Sequence, residues 1–400
     1  MRSLKIICAP DSYKGTLSAT DAASAMARGA RQALKDAGFG PDEGVVIEQP
    51  LSDGGEGFLD ALAHGKNGVR WHAAEVTGPL GQPVRAKWLE VPDDEAGGRA
   101  GVVEFAEAGG WRIGDRQGVG PMGSTSFGVG ELIRSAIEAG CGTVLVGLGG
   151  SATCDGGLPI AQALGVRFFA GGGRDGAEMR EPITGRDLGA IARIEMGSAL
   201  LEAWRERGGR LLVAADVRNP LLGEHGAART FAPQKGASPE DVEVLEAGLR
   251  HVAGLIEGAD LKRAGDSMMG SAGGASYGLA MLCGAEVVAG AELVLERIGF
   301  DGLLDAEKGD EAVLVLTGEG KLDATTASGK VMAGLLDRVR GQAQVDLIAI
   351  VGEVEGEAPI GFADVISLSE RFGKQESMER AAACIEQAAG DAVRAIMAGG

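Results

Sequence analysis

Histidine is scarce in this 400-residue chain: His64, His72, His225 and His251 stand apart, outside the candidate site loops named below. A histidine metal centre or a nucleophilic triad therefore has little support. The five cysteines are scattered, with no CxxC pair, and one must stay unpaired. That argues against a zinc cluster and fits a reducing cytoplasm. No apolar run approaches the roughly 20 residues needed to cross a bilayer, so no membrane partner is expected. The opening MRSLKIICAPDS has only a short apolar run before Pro10 and reads as a first strand, not a secretion signal. Positive charge is in deficit, with a formal net charge of −19. Such a surface repels nucleic acid and anionic lipid, and an anionic ligand would need a local basic pocket or a divalent cation.

What is present is glycine, 68 residues of it, and only the clusters at strand ends carry weight. Four hundred residues predict two domains. Leu4–Cys8 predicts a strand, and Ser18 caps a helix with Asp21 three residues on and an apolar stripe through Met26 to Leu34. Val45–Ile47 begins a second strand, completing a βαβ start. Between Glu75 and Glu104 the Gly-Pro and Gly-Gln-Pro turns suggest hairpins. Helix–strand alternation returns from Glu131. Residues 170–190 read as loop, as does the glycine-serine stretch Met268–Gly278, while Ser238-Pro239-Glu240-Asp241 is a helix start. Strands at Val313–Leu316, Leu347–Val351 and Val365–Leu368, a helix near Val331–Val339 and a helix from about Glu376 close the chain. The predicted fold is α/β: a Rossmann-like doubly wound sheet from residues 1–72 and 285–400, with a second α/β domain, 73–284, inserted, and 115–155 assignable to either. A cleft between the domains is the expected ligand site.

The densest signal is Thr143–Gly157, an apolar run ending in Gly149 and Gly150, then Ser151, Thr153 and Asp155. Bare glycine amides and hydroxyls at a strand end can hold phosphate. Asp155 can bind metal, take a hydroxyl proton, or cap the helix that starts near Leu158. Asp11, Ser12 and Lys14 follow the first strand, where Lys14 can meet phosphate or carboxylate or stand in solvent. Asp53 lies in the acidic turn Ser52–Gly57, able to accept a proton, bind Mg²⁺, or merely turn the chain. Asp216 ends another strand, followed by Asn219, then Gln234 and Lys235. Thr317–Asp323 places Glu319 and Asp323 at a strand end, and Lys330 opens a helix at the dipole end that disfavours cations unless an anion joins them. Gly118–Gly123 matches GxGxxG by letter but follows no clear strand. Gly128 and Gly130 in the first turn of a helix imply close approach, by an anion or by packed backbone.

Seven stretches occur together and in order: APDSYKGTLSA at Ala9–Ala19, SDGGEG at Ser52–Gly57, VTGPLGQPV at Val76–Val84, GGSATCDGG at Gly149–Gly157, DVRNPLLG at Asp216–Gly223, PQKGA at Pro233–Ala237 and TGEGKLD at Thr317–Asp323. In these the chain resembles the bacterial glycerate kinases of the two-domain class I type. Cys154 stands where asparagine is usual and Tyr13 where phenylalanine is common. The resemblance implies phosphorylation of D-glycerate by ATP with Mg²⁺, to 2-phosphoglycerate. The alternatives are another small hydroxy acid, the 3-hydroxyl, or a non-catalytic nucleotide-binding regulator. On this reading Asp155, Asp53 and Lys14 are catalytic, and Asp11, Ser12, Asp216, Asn219, Gln234 and Lys235 bind substrate. Gly149, Gly150, Ser151, Thr153, Glu319 and Lys330 meet the nucleotide, and Glu319, Asp216 and Asp323 place Mg²⁺.

Overall fold

Ser18 accepts a hydrogen bond from the Asp21 amide at 3.1 Å, and this starts the helix Ala19–Asp36 of the computed structural model. The structure describes residues 3–40, 43–93, 95–111, 120–171, 176–215, 217–305, 311–323, 331–356 and 360–399. The chain divides into two units, one of Met1–Asp53, Asp60–Gly65 and Ala291–Gly400, the other of Gly54–Leu59 and Lys66–Gly290. The stretch 120–155 stands in the second.

The first unit is a five-stranded parallel sheet. In chain order its strands are Leu4–Cys8, Gly44–Glu48, Ala312–Thr317, Val345–Val351 and Asp364–Ser367. In space they run second, first, third, fourth, fifth, with Leu4 opposite both Gly44 and Ala312. The first strand is buried along its whole length because both faces are covered, and its one charged residue, Lys5, donates to the Asp305 carbonyl at 2.6 Å. Ile6 and Ile7 point to opposite faces and are both fully buried, each worth about 1.5–3 kcal/mol. Leu4, Ile6 and Cys8 pack under Ala19–Asp36 and the C-terminal helix Ala381–Gly399, whose alanine-rich faces meet closely.

The second unit has a six-stranded sheet. Glu286–Ala289, Arg210–Ala215, Thr143–Gly147 and Arg99–Glu104 are parallel in that spatial order, followed by antiparallel Pro83–Pro92 and Arg70–Thr77. The predicted hairpin is present, closed by the Gly78 amide donating to the Gln82 carbonyl at 2.6 Å. The two early glycines of helix Phe127–Glu138 serve packing. A Cβ at Gly128 would lie 1.9 Å from the Thr77 carbonyl oxygen, and one at Gly130 would lie 2.5 Å from that of Ile160.

Two expected loops are structured. Residues 170–190 contribute Ala177–Glu178 to a small antiparallel sheet with Arg167–Ala170 and Ile191–Glu195, and a helical turn Gly185–Ala190. Phe168 and Ile191 anchor the strands in the core, and on the exposed side Arg167 pairs across to Glu178 and Glu195, both at 2.9 Å. A capping box between Thr184 and Asp187 starts the turn. Met268–Gly278 mostly belongs to a helical segment, Ser271–Cys283, in which Ala272, Gly273 and Gly274 take left-handed conformations. Its glycines serve close packing, since a Cβ at Gly278 would lie 2.3 Å from the Gly156 carbonyl oxygen.

Candidate active site

In the first unit all five strands point their carboxyl ends to one edge, because all are parallel. The chain reverses its direction of winding between the first and third strands, and open α/β sheets bind ligands outside the carboxyl ends at such a point. There a cavity of about 390 Å³ gathers Asp11, Ser12 and Lys14 after the first strand, Asp53 after the second, and Glu319 and Asp323 after the third. Six of the residues singled out in the sequence thus line one space. Asp11 is fixed at both ends: its amide donates to the Gly318 carbonyl at 2.9 Å, and its Oδ1 accepts the Ser12 amide at 2.6 Å. Burial, then the charges of Asp53 and Glu319, push its carboxyl well above the ordinary range, against the pull of the Ser12 amide and Lys14. Asp11 therefore holds a proton more readily than an exposed aspartate.

The same cavity takes Lys321, Glu353, Ser369, Lys374 and Ser377. Lys374 was missed in the sequence; it opens the helix Lys374–Glu379, as Lys330 was expected to open another. It pairs with Glu353 at 3.1 Å.

In the second unit, Gly150, Ser151, Gln234 and Lys235 line a separate cavity of about 180 Å³ with Trp111, Leu148, Val217, Phe231 and Ala272. It too lies at strand carboxyl ends, following Arg99–Glu104, Thr143–Gly147 and Arg210–Ala215. Lys235 is only 3% exposed, and its Nζ donates to Ser151 Oγ and to the Thr153 carbonyl, both at 2.7 Å. Thr153 Oγ1 is buried with no hydrogen-bond partner among the described residues.

Asp155 is fully buried. Its Oδ1 accepts the Gly157 amide at 3.0 Å and its Oδ2 the Ser126 amide at 2.8 Å. One carboxylate thus satisfies amides at the starts of two helices, Leu158–Ala163 and Phe127–Glu138. Burial nevertheless pushes its carboxyl up to about 6, opposed by the Gly157 and Ser126 hydrogen bonds and then by Lys235. The Gly149 amide, expected to be bare, donates to the Gly54 carbonyl at 3.1 Å. Asn219 lines neither cavity; its Nδ2 donates to the His225 carbonyl at 2.7 Å and staples a loop. Asp216 and Lys330 lie outside the described residues, as do Gly118 and Val119 of the GxGxxG match.

Among the described residues no three of His, Cys, Asp and Glu stand close enough together to hold a metal ion by themselves. The oxygen donors of the larger cavity still suit Mg²⁺, which keeps several waters and typically binds through one or two carboxylates plus phosphate. Among the described residues no helix is long and apolar enough to cross a membrane.

The profile of the Glycerate kinase family matches residues 6–397. The chain is 36% identical over 356 residues to a glycerate kinase of Bacillus subtilis (strain 168), covering 89% of this chain and 86% of that one. It is 35% identical over 360 residues to a glycerate 2-kinase of Escherichia coli (strain K12), covering 89% and 87%. A solved structure from Salmonella typhimurium LT2, described as glycerate kinase 2, superposes with a TM-score of 0.79 at 32% identity, covering 99% of each chain. A match over almost the full length, on a chain whose acidic loops gather at one edge of a parallel sheet, establishes that this protein belongs to the glycerate kinase family and is a kinase.

Proposed function

We propose that this protein transfers the γ-phosphoryl group of ATP to the 2-hydroxyl of D-glycerate, giving 2-phosphoglycerate and ADP. The gathering of Asp11, Lys14, Asp53 and Glu319 in one cavity carries this reading, together with the glycerate 2-kinase relative. Phosphoryl transfer asks the protein for alignment and charge neutralisation more than covalent chemistry. The acceptor oxygen forms a bond to the γ-phosphorus, the bond from that phosphorus to the β–γ bridging oxygen breaks, and the hydroxyl proton passes to a carboxylate.

Asp53 is the better base. It lines a cavity, whereas Asp155 is enclosed with both oxygens accepting backbone amides, which suits positioning of the two turns. Lys14, Lys321 and Lys374 would meet phosphate oxygens, and the substrate carboxylate would meet Lys14 or Lys235. Glu319 and Asp323 would hold Mg²⁺, which supplies neutralisation of charge on the triphosphate. Five buried free thiols fit a reducing compartment such as the cytoplasm.

The test is ADP release from Mg²⁺-ATP and D-glycerate in a coupled assay, with the product identified by phosphorus NMR. Phosphate on the 3-carbon would overturn the regiochemistry, and no glycerate-dependent ADP release would overturn the activity.

A further inference from the structure

We propose that the edge strand Arg70–Thr77 of the second unit is an interface, pairing antiparallel with the same strand of a second copy of this chain. The copies are related by a two-fold axis between their Ala73 residues, which joins two six-stranded sheets edge to edge. An edge strand carries a row of unpaired N–H and C=O groups, and proteins blunt such edges by keeping them short, bulged or proline-bearing. Among the described residues the other edges of the two main sheets are short: Gly44–Glu48, Asp364–Ser367 and Glu286–Ala289 have 5, 4 and 4 residues. Arg70–Thr77 has 8 and no proline, and its register with Pro83–Pro92 runs without a bulge.

The hydrogen-bond phase says which groups are open. In an antiparallel pair, alternate residues turn both backbone groups toward the neighbouring strand. The Gly78 amide donates to the Gln82 carbonyl, so Val76, Ala74, His72 and Arg70 bond inward to Pro83–Pro92. Trp71, Ala73, Glu75 and Thr77 therefore turn outward. Thr77 bears this out, because its amide donates to Glu131 Oε2 at 2.6 Å, away from the sheet. That carboxylate closes one end of the edge. Trp71, Ala73 and Glu75 remain, and all three are exposed.

These three residues are self-complementary. With the axis at Ala73, that residue meets itself and Trp71 meets the second copy's Glu75, so every open N–H and C=O of the three finds a partner. Moving the axis to Ala74 would set Trp71 against Thr77, whose amide is already bonded. Moving it to His72 would set Glu75 against Val69, beyond the strand. The side chains agree with the register. Ala73 puts nothing larger than a methyl group at the axis. Trp71 is 47% exposed, a large apolar surface that pairing would cover. The Lys87 ammonium lies 4.9 Å from its ring centroid. The second copy's Glu75 would flank the same indole, so opposite charges meet beside one ring, and the symmetry repeats this.

The experiment is sedimentation velocity on the full-length protein from about 0.1 to 100 μM, a span in which modest interfaces dissociate. Wild type should pass from monomer to dimer. Ala73→Lys and Ala73→Asp each set like charges directly opposite and should raise the dimer dissociation constant about tenfold or more. An equimolar mixture of the two should dimerise again, because each places its charge opposite the other's. Ala73→Cys should form an interchain disulfide on mild oxidation, since directly opposite residues stand within its reach. Val244→Cys, exposed on a helix, should not, and the native thiols are all buried. The cysteine variant decides the matter should the charged ones not fold. A wild type that stays monomeric overturns the proposal. So does a dimer as tight in the folded charged variants as in wild type, or an Ala73→Cys protein that forms no interchain disulfide.

Discussion

The Tyr13 hydroxyl donates a hydrogen bond to the Ile350 carbonyl, pinning the loop after the first strand to the fourth strand of the same sheet. Tyr13 is buried, and burial followed by the charge of Glu319 pushes its phenol far above its ordinary value, so the donor stays protonated. Tyr13→Phe should cost about 1 kcal/mol, the usual net worth of one such bond. Denaturant unfolding should show a lower midpoint at unchanged slope.

Gly318 packs into the same contact. A Cβ there would lie 2.0 Å from the Ile350 carbonyl oxygen and 2.2 Å from the Tyr13 hydroxyl. Gly318→Ala should therefore destabilise by about 1–3 kcal/mol or more, as overpacking does. Adding Tyr13→Phe should recover only part of the loss, because the backbone oxygen remains. Melting temperatures of the two single variants and the double variant check this.

Asp155 should show its burial through pH. Its carboxyl is pushed up to about 6 in the folded protein from an ordinary 3.8, so between those values the folded state holds the extra proton. Its contribution to stability is complete below about 3.8 and is lost as pH rises through about 6. The stability gap between wild type and Asp155→Asn should shrink from pH 4 to pH 7 by about 2–3 kcal/mol, at 1.36 kcal/mol per pKa unit. Asn also leaves one of the two backbone amides facing an NH₂ group, at about 1–3 kcal/mol. Urea titrations at both pH values measure these effects.

Asp53→Asn should lower kcat by about 10²–10⁴ with KM changed much less, if Asp53 takes the hydroxyl proton. Glu319→Gln should raise the Mg²⁺ concentration needed for half-maximal turnover. A kcat for Asp53→Asn within tenfold of wild type would remove it as the base.

The five cysteines should be silent toward a thiol reagent until the protein unfolds. All are buried and free. Burial pushes Cys141 up to about 11 and Cys154 and Cys283 up to about 12, with Cys8 and Cys384 also raised. Dithionitrobenzoate at pH 8 should titrate five thiols in denaturant and none in the native protein, since the thiolate is the reactive form.

Much of this was legible in the chain. Apolar runs ending in acidic glycine turns marked the parallel strands, and the spacing of Ser18 and Asp21 marked the first helix. Asp11, Ser12, Lys14, Asp53, Glu319 and Asp323 of the larger cavity were found because each lies in a turn that follows a strand. Lys374 and Trp111 were harder, since each sits one element further on, after a short helix, and local spacing does not report that return. The small sheet around Arg167 was hidden because its strands are 4, 2 and 5 residues long, too short to show a period. The role of Asp155 stayed ambiguous because only tertiary packing brings Ser126 to its second oxygen.

Leu4 pairs with Gly44, which is made soon after it, and with Ala312, which is made only after the whole inserted stretch. The nascent N-terminal strand must wait with one edge open while Lys66–Gly290 has time to fold, since compact segments fold as units while the chain is still growing. Truncations anywhere after Gly290 should therefore harm the half of the protein that was begun first.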